Sequence, residues 1–248
     1  VTEHAEDTYQ CDAEFLMLSY PRSGSTWLRY CIEFITERPT FFRVAGTDHI
    51  RVTKHIDTPF FEEFLSHEPI VLKRHEWNSK EAKVLKAYNK IILLIRNYKE
   101  VSVRAGQRGQ PVRCPTVPPV SQSYIDLIEA YHNHEGEKTI IYYEDLLLTP
   151  KETLDSLMKW MQVPKNYKHK LEQLMDKFDE HRDKCGKKYR SMSPNGDYKT
   201  NTICNKDIYF HTRRISKDAL TLVDEDVEKR CPYLFTLYLK RYKGQHSP

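Results

Sequence analysis

Residues Phe15–Phe34 read FLMLSYPRSGSTWLRYCIEF. An apolar run stops at Tyr20–Pro21. A short polar stretch with one glycine and one arginine follows, and apolar residues then return at helical spacing. Trp27, Leu28, Cys31, Ile32 and Ile35 share one stripe between Trp27 and Thr36, and Pro39 limits the helix. The stretch therefore predicts a strand, a tight loop and a helix. A loop in that place aims backbone N–H groups and the positive helix start at an anion. Ser23, Ser25 and Thr26 can add hydroxyl donors, Gly24 allows close approach or positive φ, and Arg22 supplies a permanent charge. Charge-assisted hydrogen bonds of about 1.5–3 kcal/mol each would hold a phosphate there. The other reading is a plainly capped helix, with Ser23 or Ser25 as N-cap. A Walker loop is disfavoured, because it needs a second glycine and a Lys-Ser/Thr pair, and here the arginine precedes the glycine.

The 248 residues suit a single α/β domain spanning 1–248. With 39% hydrophobic and 30% charged residues, a core is available under a well-solvated surface. A net charge of +4 is too mild to argue for nucleic acid, yet it suits an anionic ligand. No run of 18 apolar residues occurs, so no membrane span is expected. Residues 1–13 form a polar arm unlike a signal peptide. The chain begins with Val1, which leaves an upstream signal or anchor open. Cysteines stand at 11, 31, 114, 185, 204 and 231 without a CxxC pair, which argues against zinc. Cys31 falls on the apolar stripe as a buried thiol. A reducing cytoplasm is the favoured compartment, with a secretory lumen as the alternative should an anchor precede Val1.

Four short apolar runs, Phe15–Tyr20, Ile70–Lys73, Ile91–Ile95 and Thr139–Tyr143, read as strands buried on both faces of a parallel sheet. Helical patterns cover Phe60–Leu65, Lys80–Tyr88, Gln122–Tyr131, a stretch opened by Pro150, and Lys170–Phe178. LFTLYLKRY reads as a closing amphipathic helix. Alternating strands and helices predict a three-layer α/β fold of the P-loop nucleotide-binding kind. Its central parallel sheet would have four to five strands flanked by helices, with ligands beyond the strands' carboxyl ends. Ala105–Val120 and a basic stretch, residues 185–201, read as loops, the latter mobile.

The segment YPRSGSTW resembles the 5′-phosphosulfate-binding loop of sulfotransferases that use 3′-phosphoadenosine 5′-phosphosulfate (PAPS), whose usual form has lysine where this chain has Arg22. Three further segments follow in that family's order. IVLKRH resembles its strand ending in Lys-x-His, LLIRNYKEVSVR its 3′-phosphate-binding strand and helix, and YYEDLLLTP its Tyr-Glu-Asp strand end. The ordered resemblance covers Phe15 to Val163, and the C-terminal third matches less well.

The resemblance implies PAPS as co-substrate, released as 3′,5′-bisphosphoadenosine (PAP), and no metal. It places Arg22 beside the bridging oxygen, as a clamp that cannot readily give up a proton. His75 becomes the general base and Lys73 a neutralising cation on the same side of the strand. His49 and His55 are the runners-up for the base. Arg96 becomes the 3′-phosphate ligand. Arg104 stands where the family has serine, with Ser102 two residues before it, and would bind the same phosphate or turn away to serve an anionic acceptor. Tyr143 and Trp27 would pack on adenine, and both residues also read as core aromatics. Arg190, or else Arg213 with Arg214, would complete the 3′-phosphate site.

The expected activity is in-line sulfuryl transfer to a hydroxyl or amine. The acceptor is a small molecule, favoured by Phe41, Phe42, Phe60, Phe61 and Trp77, or a glycan, and a homodimer is left open. The alternatives are a P-loop-type nucleotide kinase or NTPase, and a non-catalytic nucleotide-binding module. The missing Walker pattern opposes the first, and the intact Lys73-x-His75 opposes the second.

Overall fold

A computed structural model describes residues 13–43, 50–52, 68–75, 82–106, 119–191, 208, 212 and 215–244. Its sheet has six strands: β1 (Phe15–Ser19), β2 (Thr40–Arg43), β3 (Ile50–Val52), β4 (Val71–Arg74), β5 (Lys90–Ile95) and β6 (Glu137–Tyr142). They lie in the order β3-β2-β4-β1-β5-β6. Five of them, from β2 to β6 across the sheet, run parallel, and β3 pairs antiparallel with β2 at one edge.

Side chains of β1 alternate between two cores. Phe15 and Met17 enter one, and Leu16 and Leu18 the other. Ile92 and Leu94 of β5 join the first core, while Ile91, Leu93 and Ile95 join the second. The sheet is thus buried on both faces, which explains the near-continuous apolar runs in these strands. The first core is completed by α1 (Ser25–Thr36) and by the helices Pro150–Trp160 and Tyr167–Asp176. The second is completed by the helices Gln122–His132, Lys217–Arg230 and Pro232–Leu237. The result is the expected three-layer α/β architecture.

The strands β2 and β3 were not legible as apolar runs. The stretch expected as a mobile loop is helical at its start, because the helix Phe178–Ser191 runs through Cys185. Its buried positions, Arg182 and Cys185, follow Phe178 at helical spacing, and Phe178 packs against the first core. The closing helix divides into Pro232–Leu237 and a 3₁₀ turn, Leu239–Arg241. Tyr143 opens the helix Tyr143–Leu148 and is not the last residue of a strand. The helix expected at Phe60–Leu65 lies outside the described residues.

The chain order sets the position of the site. β1 is central, and its neighbours β4 and β5 come later in sequence and lie on opposite sides. A parallel sheet opens a crevice at such a reversal, beyond the strands' carboxyl ends. The ends of β4, β1 and β5 carry Lys73–His75, the Tyr20–Trp27 loop and Arg96.

Candidate active site

The loop after β1 turns on two residues with positive φ, Arg22 at 74° and Gly24 at 90°. Gly24 is the N-cap of α1, and no side chain caps that end. The Ser23 or Ser25 capping reading is therefore not what the loop adopts. Trp27 N–H bonds to Gly24 O at 3.0 Å, which leaves Ser25 and Thr26 as the leading amides of an uncapped helix start. Ser23 is fully buried, and its Oγ has no hydrogen-bond partner among the described residues. A buried hydroxyl of this kind calls for a partner. An anion over the loop would provide one.

His75 follows β4 at the position beside Ser19, since Leu18 pairs with Arg74 in the parallel register. Its Nδ1 lies 2.8 Å from Ser19 O. A carbonyl only accepts, so Nδ1 carries the proton and Nε2 the lone pair. Lys73, buried at the strand end, contacts that Nε2 through Nζ. His75 is pushed down to about 3 by burial, then by Lys73, Arg29 and Arg22, against the upward pull of the Ser19 carbonyl. Burial, and next Arg29, hold Lys73 well below the usual lysine range. The pair is thus a neutral imidazole and an easily deprotonated amine within a cationic setting.

Arg29 was not foreseen. It lies on α1, and Nε and a terminal nitrogen donate to Thr40 Oγ1 (2.8 Å) and Thr40 O (2.7 Å) on β2. Glu33 accepts from Thr40 N–H at 3.0 Å. Burial lowers Arg29 to about 10, with Glu33 opposing. This triad fastens α1 to β2 on the sheet face that Lys73 also uses, since Thr40 pairs with Val71 and side chains two apart share a face. Its signal was in the sequence: an i, i+4 Arg–Glu pair on an otherwise apolar helix stripe.

Arg96 leaves β5 with 4% exposure. It donates to Arg22 O at 3.3 Å, lies 3.6 Å from the Glu100 carboxylate and stacks 4.6 Å over the Tyr143 ring. Its Nε is buried without a partner among the described residues. Glu144, also missed, accepts from Asn97 N–H at 2.9 Å and from Tyr242 OH at 3.1 Å. Lys99 donates to Tyr242 O at 2.8 Å and pairs with Asp224. Together these bonds anchor the corner that carries Arg96 to the C-terminal helices.

Trp27 and Tyr143 are both buried, as the core-aromatic reading has it. Trp27 is 2% exposed, stacked on Tyr30 at 5.4 Å and in edge contact with Phe178 at 5.1 Å. Tyr143 is 4% exposed between Gly24 and Arg96. Both pack as core aromatics among the described residues. Arg104 lies in the helix Tyr98–Gly106 and Arg190 in the helix Phe178–Ser191, with side chains outside the described ones, and Ser102 is buried. His49, His55, Phe60, Phe61, Trp77, Arg213 and Arg214 lie outside the described residues. Cys31, Cys185 and Cys231 are buried cysteines outside any disulfide. Among the described residues no cluster of His, Cys, Asp or Glu could hold a metal, and no helix is long and apolar enough to cross a membrane.

No family model matches the chain, and no curated protein matches its sequence. Solved structures do match. Mouse sulfotransferase SULT7A1 complexed with PAP aligns over 93% of this chain and 88% of its own, with a TM-score of 0.59 at 16% identity. Retinol dehydratase in complex with retinol and PAP aligns over 94% and 83%, with a TM-score of 0.48 at 13% identity. The sulfotransferase domain from the curacin biosynthetic pathway aligns over 61% and 74%, with a TM-score of 0.38 at 19% identity. Of these three, the first superposes closely enough to show a shared fold.

Proposed function

We propose, from the premise that this chain has the sulfotransferase fold, that it transfers a sulfuryl group from PAPS to a hydroxyl or amine of a small molecule. The observation that carries the proposal is the meeting of the Arg22–Thr26 loop, the Lys73–His75 pair and Arg96 at three adjacent strand ends. PAPS supplies the activated sulfuryl group. The protein supplies position, charge compensation and a proton acceptor.

Ser23 Oγ and the amides of Ser25 and Thr26 are donors for the 5′-phosphosulfate, and Arg22 adds a charge that persists throughout the reaction. Arg96 serves the 3′-phosphate, with its unsatisfied Nε as the free donor. Trp27 and Tyr143 support the loop from below. His75 takes the acceptor's proton at Nε2, because Nδ1–H is committed to Ser19 O. Lys73 donates to the same Nε2, so His75 becomes a base when Lys73 gives up that contact. An anionic sulfuryl group is the partner that draws Lys73 away, which links base activation to donor binding.

The test is incubation with ³⁵S-labelled PAPS and a panel of phenols, alcohols, amines and glycans, with products identified by mass. Labelled product without added divalent metal is expected. Magnesium-dependent ATP turnover with no sulfated product would favour the nucleotide kinase or NTPase reading instead.

A further inference from the structure

Arg96 has an unusual counter-ion. Glu100 lies one helical turn on, fully buried, in the first turn of the helix Tyr98–Gly106. Its Oε1 accepts twice from Thr212, from N–H at 2.8 Å and from Oγ1–H at 2.6 Å. Thr212 is 112 residues away and 1% exposed. The other carboxylate oxygen stands 3.6 Å from Arg96. That exceeds the ~2.7–2.9 Å of a charge-assisted hydrogen bond. The carboxylate is thus fixed to Thr212 and held back from the guanidinium. Arg96 is left with a 3.3 Å bond to Arg22 O and a buried Nε that no described residue satisfies.

A buried cation needs a compensating charge when its ligand is absent. A compensating carboxylate that closed on it fully would compete with the ligand. We propose that Glu100 is the resident counter-ion of Arg96 and that Thr212 is a positioning residue which restrains it, keeping Arg96 available to the 3′-phosphate. This rests on the reading of Arg96 as a 3′-phosphate ligand. Thr212 is not proposed to touch the guanidinium or the nucleotide; its effect on Arg96 runs through Glu100. Thr212 thereby tunes the affinity for the 3′-phosphate alone.

The experiment compares calorimetric affinities for PAP and for adenosine 5′-monophosphate, which lacks only the 3′-phosphate. Thr212→Val removes the hydroxyl donor and lets the carboxylate turn toward Arg96. PAP affinity should fall at least about tenfold, near the lower end of one charge-assisted hydrogen bond, while monophosphate affinity stays within twofold. Thr212→Ser should restore the wild-type values. Equal losses for both ligands, or no loss for either, overturn the inference and leave the Arg96 reading standing. Wild-type protein that binds PAP no better than the monophosphate overturns both. Should Thr212→Val fail to fold, hydrogen exchange on the wild type decides. The Thr212 amide should exchange more slowly with saturating PAP, as Glu100 loses its cation and bonds Thr212 more strongly, and should not change with the monophosphate. Identical exchange with the two ligands overturns the inference.

Discussion

Gly24→Ala is the substitution whose cost the geometry defines best. Gly24 sits at φ 90°, ψ 14°, where any other residue costs about 1–2 kcal/mol. A methyl built there would sit 3.3 Å from Tyr143 Cγ and overlap Cδ2 and Cε2 of the same ring. The ring cannot simply withdraw, because it is 4% exposed and Arg96 lies 4.6 Å over it. Overpacking of that kind costs about 1–3 kcal/mol. The two terms sum to about 2–5 kcal/mol of lost stability. Guanidinium unfolding measures it, and calorimetry with PAP should show weaker binding as Arg96 is displaced with the ring. In a double-mutant cycle, Tyr143→Leu should relieve the overpacking and leave the φ cost, giving a coupling of about 1–3 kcal/mol. A loss below about 1 kcal/mol, or strict additivity with Tyr143→Leu, would refute the reasoning.

His75, with its proton affinity lowered to about 3, favours folding only while neutral. That contribution is complete above the unfolded-state value near 6.5 and is lost as pH falls from there toward about 3. The stability difference between wild type and His75→Gln should therefore shift against the wild type between pH 7 and pH 4.5 in urea unfolding, and a constant difference would contradict it. Trp27→Ala should lower stability by about 3–5 kcal/mol, as for a packed core aromatic. The folded variant should keep its PAP affinity within threefold, and a large affinity loss without a stability loss would return Trp27 to the base-stacking role.

The central strands, and the strand ends where the candidate site lies, were legible for one physical reason. A strand buried on both faces must be apolar along its whole length, so Phe15–Ser19 and Lys90–Ile95 announce themselves, and the polar residues just after them stand out. Arg96 stands out that way after β5, whereas the roles expected of His75 and Arg96 came from the family resemblance. β2 was hidden because Thr40, fully buried, is held by Arg29 and Glu33 and not by an apolar pattern. The helix Phe178–Ser191 was hidden because one of its buried positions is Arg182 and Gly186 interrupts its propensity. For Trp27 and Tyr143 the sequence left base packing and core packing both open, because it shows ring type but not which face is covered. Glu100, Glu144 and Asp224 work through partners about a hundred residues away, and no local spacing marks such pairs.

The central claim is that His75 removes the acceptor's proton during sulfuryl transfer. It is tested most directly by measuring sulfate transfer from ³⁵S-labelled PAPS by wild type and His75→Ala at saturating donor and acceptor. The account predicts a rate at least about a hundredfold lower in the variant, the contribution expected of a general base, with PAP affinity unchanged. An unchanged rate at saturation would contradict it.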